Sequence, residues 1–306
     1  MLGMKNILVA MNDAYVDKYE VVMRSLADTN GAGDIMIHLI YDDTLSDDMR
    51  ERFAEKIREY GFCYAELKLE KKDVDFLSVI EFRRWGIAAL YRLIALSIID
   101  VDRFLWIDGD TLVLKDITEF YYQDFEENLI VAMEDAALTR EYKKGAFTHL
   151  SDYESGIYVN SGVVLFNVAA IREADIIDNM WAWTKENADK LNYPDQDIIN
   201  EVFKGKIKYN DYFLYNCQVG SLHWTKEQEA LSKAVILHFV GGRPWEKTYR
   251  KKLGSGIDAG VWWSTAKRAN SEWSKKYLPW RMYQLVNIMP WIWVYKVYYG
   301  LTKGRK

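Results

Sequence analysis

The chain has 306 residues, half of them hydrophobic, and a formal net charge of −5, which is enough for one large or two modest domains around a substantial core. Such a charge offers no basic footprint for a duplex, and a nucleic-acid partner is disfavoured. The two cysteines, Cys63 and Cys217, lie too far apart for a disulfide framework or a structural zinc site and fit a reducing cytoplasm.

The first residues lack a cleavable signal, and Ile7 to Met11 reads as a buried first strand. Asn12-Asp13-Ala14-Tyr15 follows as a loop, and Tyr19 to Leu26 has helical spacing. A first βα loop is a common place for a nucleotide, although no G-x-G-x-x-G fingerprint is present. For Asn12 and Asp13, a helix-capping or turn role stands as the simpler alternative.

Asp34 to Ile40 is the second predicted strand, and Ser46 to Tyr60 a helix with Ser46 as its cap. Tyr64 to Leu69 reads as a third strand, and Lys71-Lys72-Asp73 as a surface crossing. Phe76 to Ile99 has a helical period throughout and carries Arg92. That arginine either grips a phosphate or an acid pair or lies along the helix surface.

The next stretch organises the rest. Phe104 to Ile107 is an apolar run that stops at Asp108-Gly109-Asp110, and Leu112 to Leu114 follows at once. Continuous apolar runs are buried strands, so two carboxylates stand at a strand end, with a glycine between them that allows close approach. They can share a hard cation. Asp-Gly between apolar runs is also a hairpin signal, and both readings stand.

Leu129 to Met133 is a further strand that exits into Glu134-Asp135. The long connection from Leu138 to Tyr158, with His149, Asp152 and Tyr153, is expected to be a flap. Val159 to Asn167 is a strand with Asn160 and Ser161 at its entrance and Gly162 placed for tight packing or a bulge. Ala169 to Lys190 reads as one helix. Pro194-Asp195-Gln196-Asp197 opens another that runs to Phe203 and stops at Gly205; Asp195 is either its cap or a functional acid. Val235 to Phe239 is the last strand and carries His238, a third cation ligand or a core histidine, ahead of Gly241 and Gly242.

Beyond Glu246 the composition turns to tryptophan, tyrosine and basic residues, ending in Lys303, Arg305 and Lys306. The best candidate for a membrane span, Leu285 to Leu301, is broken by Asn287, Pro290 and Lys296. A helical segment lying in a membrane interface is the expectation, with packing on the core as the alternative.

Taken in order, these blocks resemble glycosyltransferase family 8 over about residues 5–245. The matching residues are Ala10-Met11-Asn12-Asp13-Ala14-Tyr15, Arg92, Phe104-Leu105-Trp106-Ile107-Asp108-Gly109-Asp110-Thr111-Leu112-Val113 as the D-x-D block, Asn160-Ser161-Gly162-Val163, Asp195-Gln196-Asp197, and His238-Phe239-Val240-Gly241-Gly242-Arg243-Pro244-Trp245. Arg243 stands where the family usually has lysine, which keeps the charge and changes the geometry.

The resemblance implies an α/β GT-A fold, a Rossmann-like mixed sheet flanked by helices, over residues 1–245. A C-terminal helical, aromatic and basic segment, residues 246–306, would associate with the membrane. It implies a metal-dependent retaining hexosyltransferase using a UDP-sugar and acting on a cell-surface glycan or lipopolysaccharide-type acceptor. Such a protein would be cytoplasmic or peripheral on the inner membrane surface.

Asp108, Asp110 and His238 would hold manganese, with magnesium as second choice. Asn12, Asp13 and Tyr15 would hold uracil and ribose, Arg92 and Arg243 would add charge at the diphosphate, and Ala10, Gly109, Ser161 and Gly241 would also line the donor site. Asn160, Asp195 and Gln196 would border the sugar, with Gln196 beside the reacting carbon and Asp135 towards the acceptor. A phosphatase of the haloacid dehalogenase type also begins with a strand ending in Asp-x-Asp, but Leu112 stands where that pattern usually has threonine or valine. A non-catalytic sugar-binding protein using the aromatic residues is a third reading.

Overall fold

The computed structural model describes residues 3–79, 87–151, 155–221, 227–246 and 260–269, together with positions 275, 293, 294 and 297. Strands β1 (Lys5–Ala10), β2 (Ile35–Tyr41), β3 (Cys63–Lys68), β4 (Arg103–Ile107), β5 (Thr111–Val113), β6 (Ile130–Glu134), β7 (Val159–Asn167), β8 (Ile207–Asn210), β9 (Cys217–Gln218) and β10 (Ile236–His238) form two sheets. The larger has the order β3-β2-β1-β4-β7-β6-β8 and the smaller β5-β10-β9. Strands β3, β2, β1 and β4 run parallel, and β7 lies antiparallel to both β4 and β6. This is the expected mixed sheet.

Alternation along each strand feeds two apolar layers, because successive side chains point to opposite faces. Ile7, Val9, Leu105, Ile107 and Leu165 pack on one side against the helices Val16–Thr29 and Asp47–Glu59. Leu8, Phe104, Trp106, Val164 and Phe166 pack on the other, against the helices Tyr91–Ile98 and Pro194–Val202. Chain order reverses about β1, whose neighbours are β2 and β4. Ligands of such sheets collect at that switch point, beyond the carboxyl ends of the strands, and Asp108 follows β4 there.

Several expectations are corrected. Phe76 to Ile99 is not one helix: short 3-10 turns at Asp75–Val79 and Ile87–Leu90 precede the helix Tyr91–Ile98. The segment predicted over 169–190 is split into Val168–Glu173 and Ile177–Glu186, with Asp175 between them at φ 51°. Ser46 precedes the helix Asp47–Glu59 without a side-chain cap; it donates instead to the Asp13 carboxylate through both its amide and its hydroxyl. The acids at the end of β4 do not turn a hairpin, because β4 and β5 belong to different sheets.

The 138–158 connection begins inside the helix Ala136–Tyr142, and Phe147, Leu150 and Tyr158 form a small apolar cluster of their own. It is also tied down by His149 on Asp197 and by Ser151 on Glu201. Asp152 and Tyr153 lie outside the described residues. Of the C-terminal segment, the helix Gly260–Ala269 packs Trp262, Trp263 and Ala266 against Val21 and the small sheet. The rest lies outside the described residues, apart from the exposed Trp293, Val294 and Val297 and residue 275.

His38 on β2 is buried and hydrogen-bonded through Nε2 to Asn6 Oδ1 at 3.0 Å. Burial pushes its imidazole down from 6.5 to about 4. The unfolded chain therefore binds more protons than the native one below the ordinary histidine range. The contribution of His38 leaves stability unaffected above pH 6.5 and lowers it as the pH falls towards 4. Denaturant titrations at stepped pH should show His38→Asn flattening this decline by about 2–3 kcal/mol; an unchanged slope would assign the loss to other groups.

Candidate active site

β4 and β7 deliver most of the site. Asp108 N–H donates to Gly162 O at 2.8 Å, which holds the end of β4 against β7. Pairing of β6 with β7 is regular from Ile130↔Phe166 to Ala132↔Val164 and then jumps to Met133↔Asn160. Ser161, Gly162 and Val163 are thus left out of the β6 ladder. Irregularities of this kind re-aim side chains next to active sites. A Cβ on Gly162 would overlap Cε1 of His238 and sit 2.8 Å from Asp108 Oδ2, so only glycine fits there.

Asp108, Asp110 and His238 can each offer a ligand atom within 4.8 Å of the others, the one such group found among the described residues. His238 Nε2 is 3.1 Å from Asp110 Oδ1 and 4.0 Å from Asp108 Oδ2. Arg243 Nε donates to Asp110 Oδ2 at 2.8 Å, and its Nη1 to Glu246 at 3.1 Å. Burial alone would raise the Asp110 carboxyl, but His238 and Arg243 outweigh it and hold it well below the usual range. Burial lowers the imidazole of His238, and Asp110, helped by Asp108, reverses that to a raised value. Two carboxylate oxygens and one imidazole nitrogen form a donor set suited to a divalent cation.

Arg92 sits behind this cluster and is not a surface residue: it is buried. Its guanidinium donates to Asp108 Oδ1 at 3.0 Å and to Ser161 O, and pairs with Asp195 Oδ2 at 3.2 Å. The ring of Trp106 lies 4.3 Å from the guanidinium carbon, and its Nε1 donates to the same Asp108 oxygen at 2.7 Å. The tryptophan next to the acidic pair therefore both stacks on the cation and hydrogen-bonds the anion. Asp195 is raised above the ordinary carboxyl range by burial, which Arg92 and the Ser161 side chain offset only in part.

Asp195 is not a helix cap. The helix Pro194–Val202 begins with proline at its first turn and has no side-chain cap from Tyr193. Asp197, wholly buried, accepts instead from the amides of Asn192 and Tyr193 at 2.8 and 3.1 Å, and also contacts Tyr158 and His149. Gln196 Oε1 faces Ser161 N at 3.1 Å, Ser161 Oγ at 3.3 Å and Asn160 Nδ2 at 3.3 Å. Its Nε2 faces Asp135 Oδ2 at 3.4 Å.

Asp135, expected near an acceptor, is buried. Its Oδ1 caps the helix Ala136–Tyr142 through the amides of Ala137 and Leu138, and its Oδ2 accepts from Asn160 at 3.1 Å.

The loop after β1 supplies another wall. A Cβ on Gly109 would come within 3.1 Å of both Tyr19 and Tyr15, so the glycine of the acidic turn is held beneath that loop. Burial raises the Tyr15 phenol, with Arg243, Asp110 and Asp108 acting on it electrostatically. Asn12 makes no cap; its Oδ1 is buried without a partner among the described residues. Asp13 is exposed and its carboxylate accepts from the amide and hydroxyl of Ser46. Ala10 ends β1 beside this loop, and Gly241, at φ 70°, makes the turn between His238 and Arg243.

Two contributors had no sequence signal. Asn216 is wholly buried, accepts from His238 Nδ1 at 2.8 Å and donates to Asn160 Oδ1 at 2.9 Å. Gln218, paired in register with His238, donates to Glu134 O at 2.8 Å. An asparagine at the end of a four-residue helix reads as a turn, and only the three-dimensional partner gives it a role.

The profile of Glycosyl transferase family 8 matches residues 6–249. A Haemophilus influenzae protein described as a glycosyltransferase is 22% identical over 207 residues, 67% of this chain; the chain spans 60% of that relative's length. A lipopolysaccharide 1,2-glucosyltransferase of Escherichia coli is 23% identical over 253 residues, 79% of this chain and 73% of that protein. The galactosyltransferase LgtC, solved with donor and acceptor sugar analogues, superposes with a TM-score of 0.71 at 22% identity, covering 89% of this chain and 99% of that one. The fold is therefore GT-A.

If the Asp108–Asp110–His238 group holds a divalent cation, Gly162→Ala should weaken its binding, read by titration of the isolated protein, by about 10- to 100-fold, because His238 must leave its place to relieve the overlap. A folded variant with unchanged affinity would remove His238 from the cation site.

Proposed function

The chain belongs to glycosyl transferase family 8, and from that premise we propose that it moves a hexose, galactose or glucose, from a UDP-sugar to a hydroxyl of a cell-surface glycan or lipopolysaccharide-type acceptor. The reaction is divalent-cation dependent and retains the anomeric configuration. The observation that carries this reading is the convergence of Asp108, Asp110 and His238, with Arg92 joining Asp108 to Asp195.

The relatives support the substrate class: one is a lipopolysaccharide glucosyltransferase and another a galactosyltransferase solved with sugar analogues. Family membership replaces the phosphatase reading.

Two carboxylates and one imidazole suit Mn2+, with Mg2+ as the harder alternative. When bound, the cation neutralises the charge that gathers on the diphosphate as the bond to the sugar breaks. Arg243 adds a second positive charge on the same side, with a forked geometry suited to phosphate. Ala10, Asn12, Asp13 and Tyr15 border the nucleoside, and Gly109 and Gly241 let the backbone approach the diphosphate.

Asn160, Ser161, Asp195 and Gln196 form the floor of the sugar site. An amide is a poor nucleophile, so the incoming hydroxyl attacks from the face that the phosphate leaves. The departing phosphate oxygen takes its proton, and Gln196 and Asp195 steady the positive charge on the sugar. Asp135 faces Gln196 and Asn160 through Oδ2 and lies on the side proposed for the acceptor.

No helix among the described residues is long and apolar enough to cross a membrane. The exposed Trp293, Val294 and Val297 fit a peripheral contact of the C-terminal segment, residues 246–306, with the cytoplasmic face.

The deciding experiment incubates the protein with UDP-galactose and UDP-glucose, with Mn2+ or with a chelator, and follows UDP release and the anomer formed. Release that requires the cation is expected; no release from any UDP-hexose would end the donor assignment. In the same assay, Gln196→Ala should lower kcat by about 10²- to 10³-fold with little change in UDP affinity. Undiminished turnover would exclude Gln196 from the reacting centre.

A further inference from the structure

We propose that Asn216 fixes the imidazole of His238 in the tautomer that leaves Nε2 free for a cation, which makes Asn216 a positioning residue of the site. The inference rests on the cation-binding reading above, but the structural logic starts elsewhere, at one backbone amide.

Gly162 N–H can only donate, and it lies 2.9 Å from one terminal atom of Asn160. That atom is therefore the carbonyl oxygen, Oδ1, and the other arm of Asn160 is the NH2 group, which donates to the Asp135 carboxylate at 3.1 Å. The acceptor character of Asp135 is secured in turn by the two helix amides that its other oxygen binds. Asn160 Oδ1 has a second neighbour, Asn216, at 2.9 Å. An acceptor needs a donor opposite it, so the arm of Asn216 that faces Asn160 is Nδ2.

Only Oδ1 of Asn216 is left for His238 Nδ1, at 2.8 Å. A carbonyl oxygen has no proton to give, so Nδ1 carries one. A neutral imidazole holds a single ring proton, and its lone pair is then on Nε2, facing Asp110 and Asp108. In the charged ring the second proton sits on Nε2 and donates to Asp110. That proton is the one a cation displaces; Nδ1–H is kept in both states.

The arrangement is rigid. Asn216 is wholly buried, and His238 and Asn160 nearly so, so each amide and the imidazole meet partners supplied by the protein. The Asn216 backbone closes the helix Tyr212–Tyr215, its amide donating to Tyr212 O at 3.2 Å, and leads directly into β9, which pairs with β10. Partners that orient a metal-bound histidine through its other nitrogen matter nearly as much as the ligands.

The test compares the parent protein with Asn216→Leu, which offers no acceptor, and Asn216→Asp, which keeps one. Mn2+ alone is titrated and its free signal followed by electron paramagnetic resonance, while the histidine ring nitrogens of the metal-free parent are observed by NMR at alkaline pH, with His238→Gln giving the assignment. The expected result is a pyrrole-type Nδ1 and a pyridine-type Nε2 in the parent. Mn2+ affinity should fall about 10- to 100-fold in Asn216→Leu and less in Asn216→Asp, which keeps the acceptor for His238 Nδ1 while losing the donor to Asn160.

A parent ring protonated on Nε2, a folded leucine variant that binds Mn2+ like the parent, or an aspartate variant as weak as the leucine one would each overturn the proposal. If neither variant folds, the tautomer of the parent decides. A parent that shows the expected tautomer but binds no Mn2+ would sink the cation reading and leave the role of Asn216 intact.

Discussion

Ionised carboxylates withdrawn from water must be matched by cations or donors, because an unpaired buried charge costs several kcal/mol or more. That constraint shapes the carboxyl ends of β1, β4 and β7. Asp108 is matched by Arg92 and the Trp106 indole, Asp110 by His238 and Arg243, and Asp195 by Arg92. Arg92 serves two acids at once and is itself stacked on Trp106. Each acid of the cluster is therefore charge-matched by side chains of the protein itself.

Bringing these groups together needs room beside the backbone as well as charge balance. Gly162 lies where β7 leaves the β6 ladder, and the space its Cβ would take is filled by His238 and Asp108. Gly109 does the same for the β1 loop, allowing Tyr15 and Tyr19 to close on the acidic turn. The small sheet then brings His238 in from the far end of the chain, because β10 pairs antiparallel with β5, directly after Asp110. Two short strands thus decide which residue becomes the third member of the cluster.

Much of the large sheet could be read from the residues, since strands buried on both faces are nearly continuous apolar runs, as in Leu129–Met133 and Val163–Phe166. Helix extents were less legible. The 76–99 and 169–190 segments keep a helical period across their breaks, because apolar spacing reports which face is buried and not whether the turns are continuous. The acids, Arg92 and His238 were visible as chemistry at strand ends. What each acid binds was not: Asp195 and Asp197 look equally like first-turn acids, yet one pairs with Arg92 and the other holds Asn192, Tyr193, Tyr158 and His149.

The polar residues between the two halves of the site were the least legible, and physically they are the most constrained. Asn160, Asn216 and Gln196 carry amides, whose two ends differ by one donor and one acceptor, and a sequence gives no hint of which end faces which neighbour. In the folded chain the ambiguity disappears. The Gly162 amide orients Asn160, Asn160 orients Asn216 and Gln196, and Asn216 orients His238. Hydrogen-bond direction is passed along these side chains because each is buried and has a fixed donor or acceptor opposite it. The Asp108–Asp110–His238 cluster and the Asn160–Gln196 group are consequently one network, and altering a neutral amide in its middle reaches both ends.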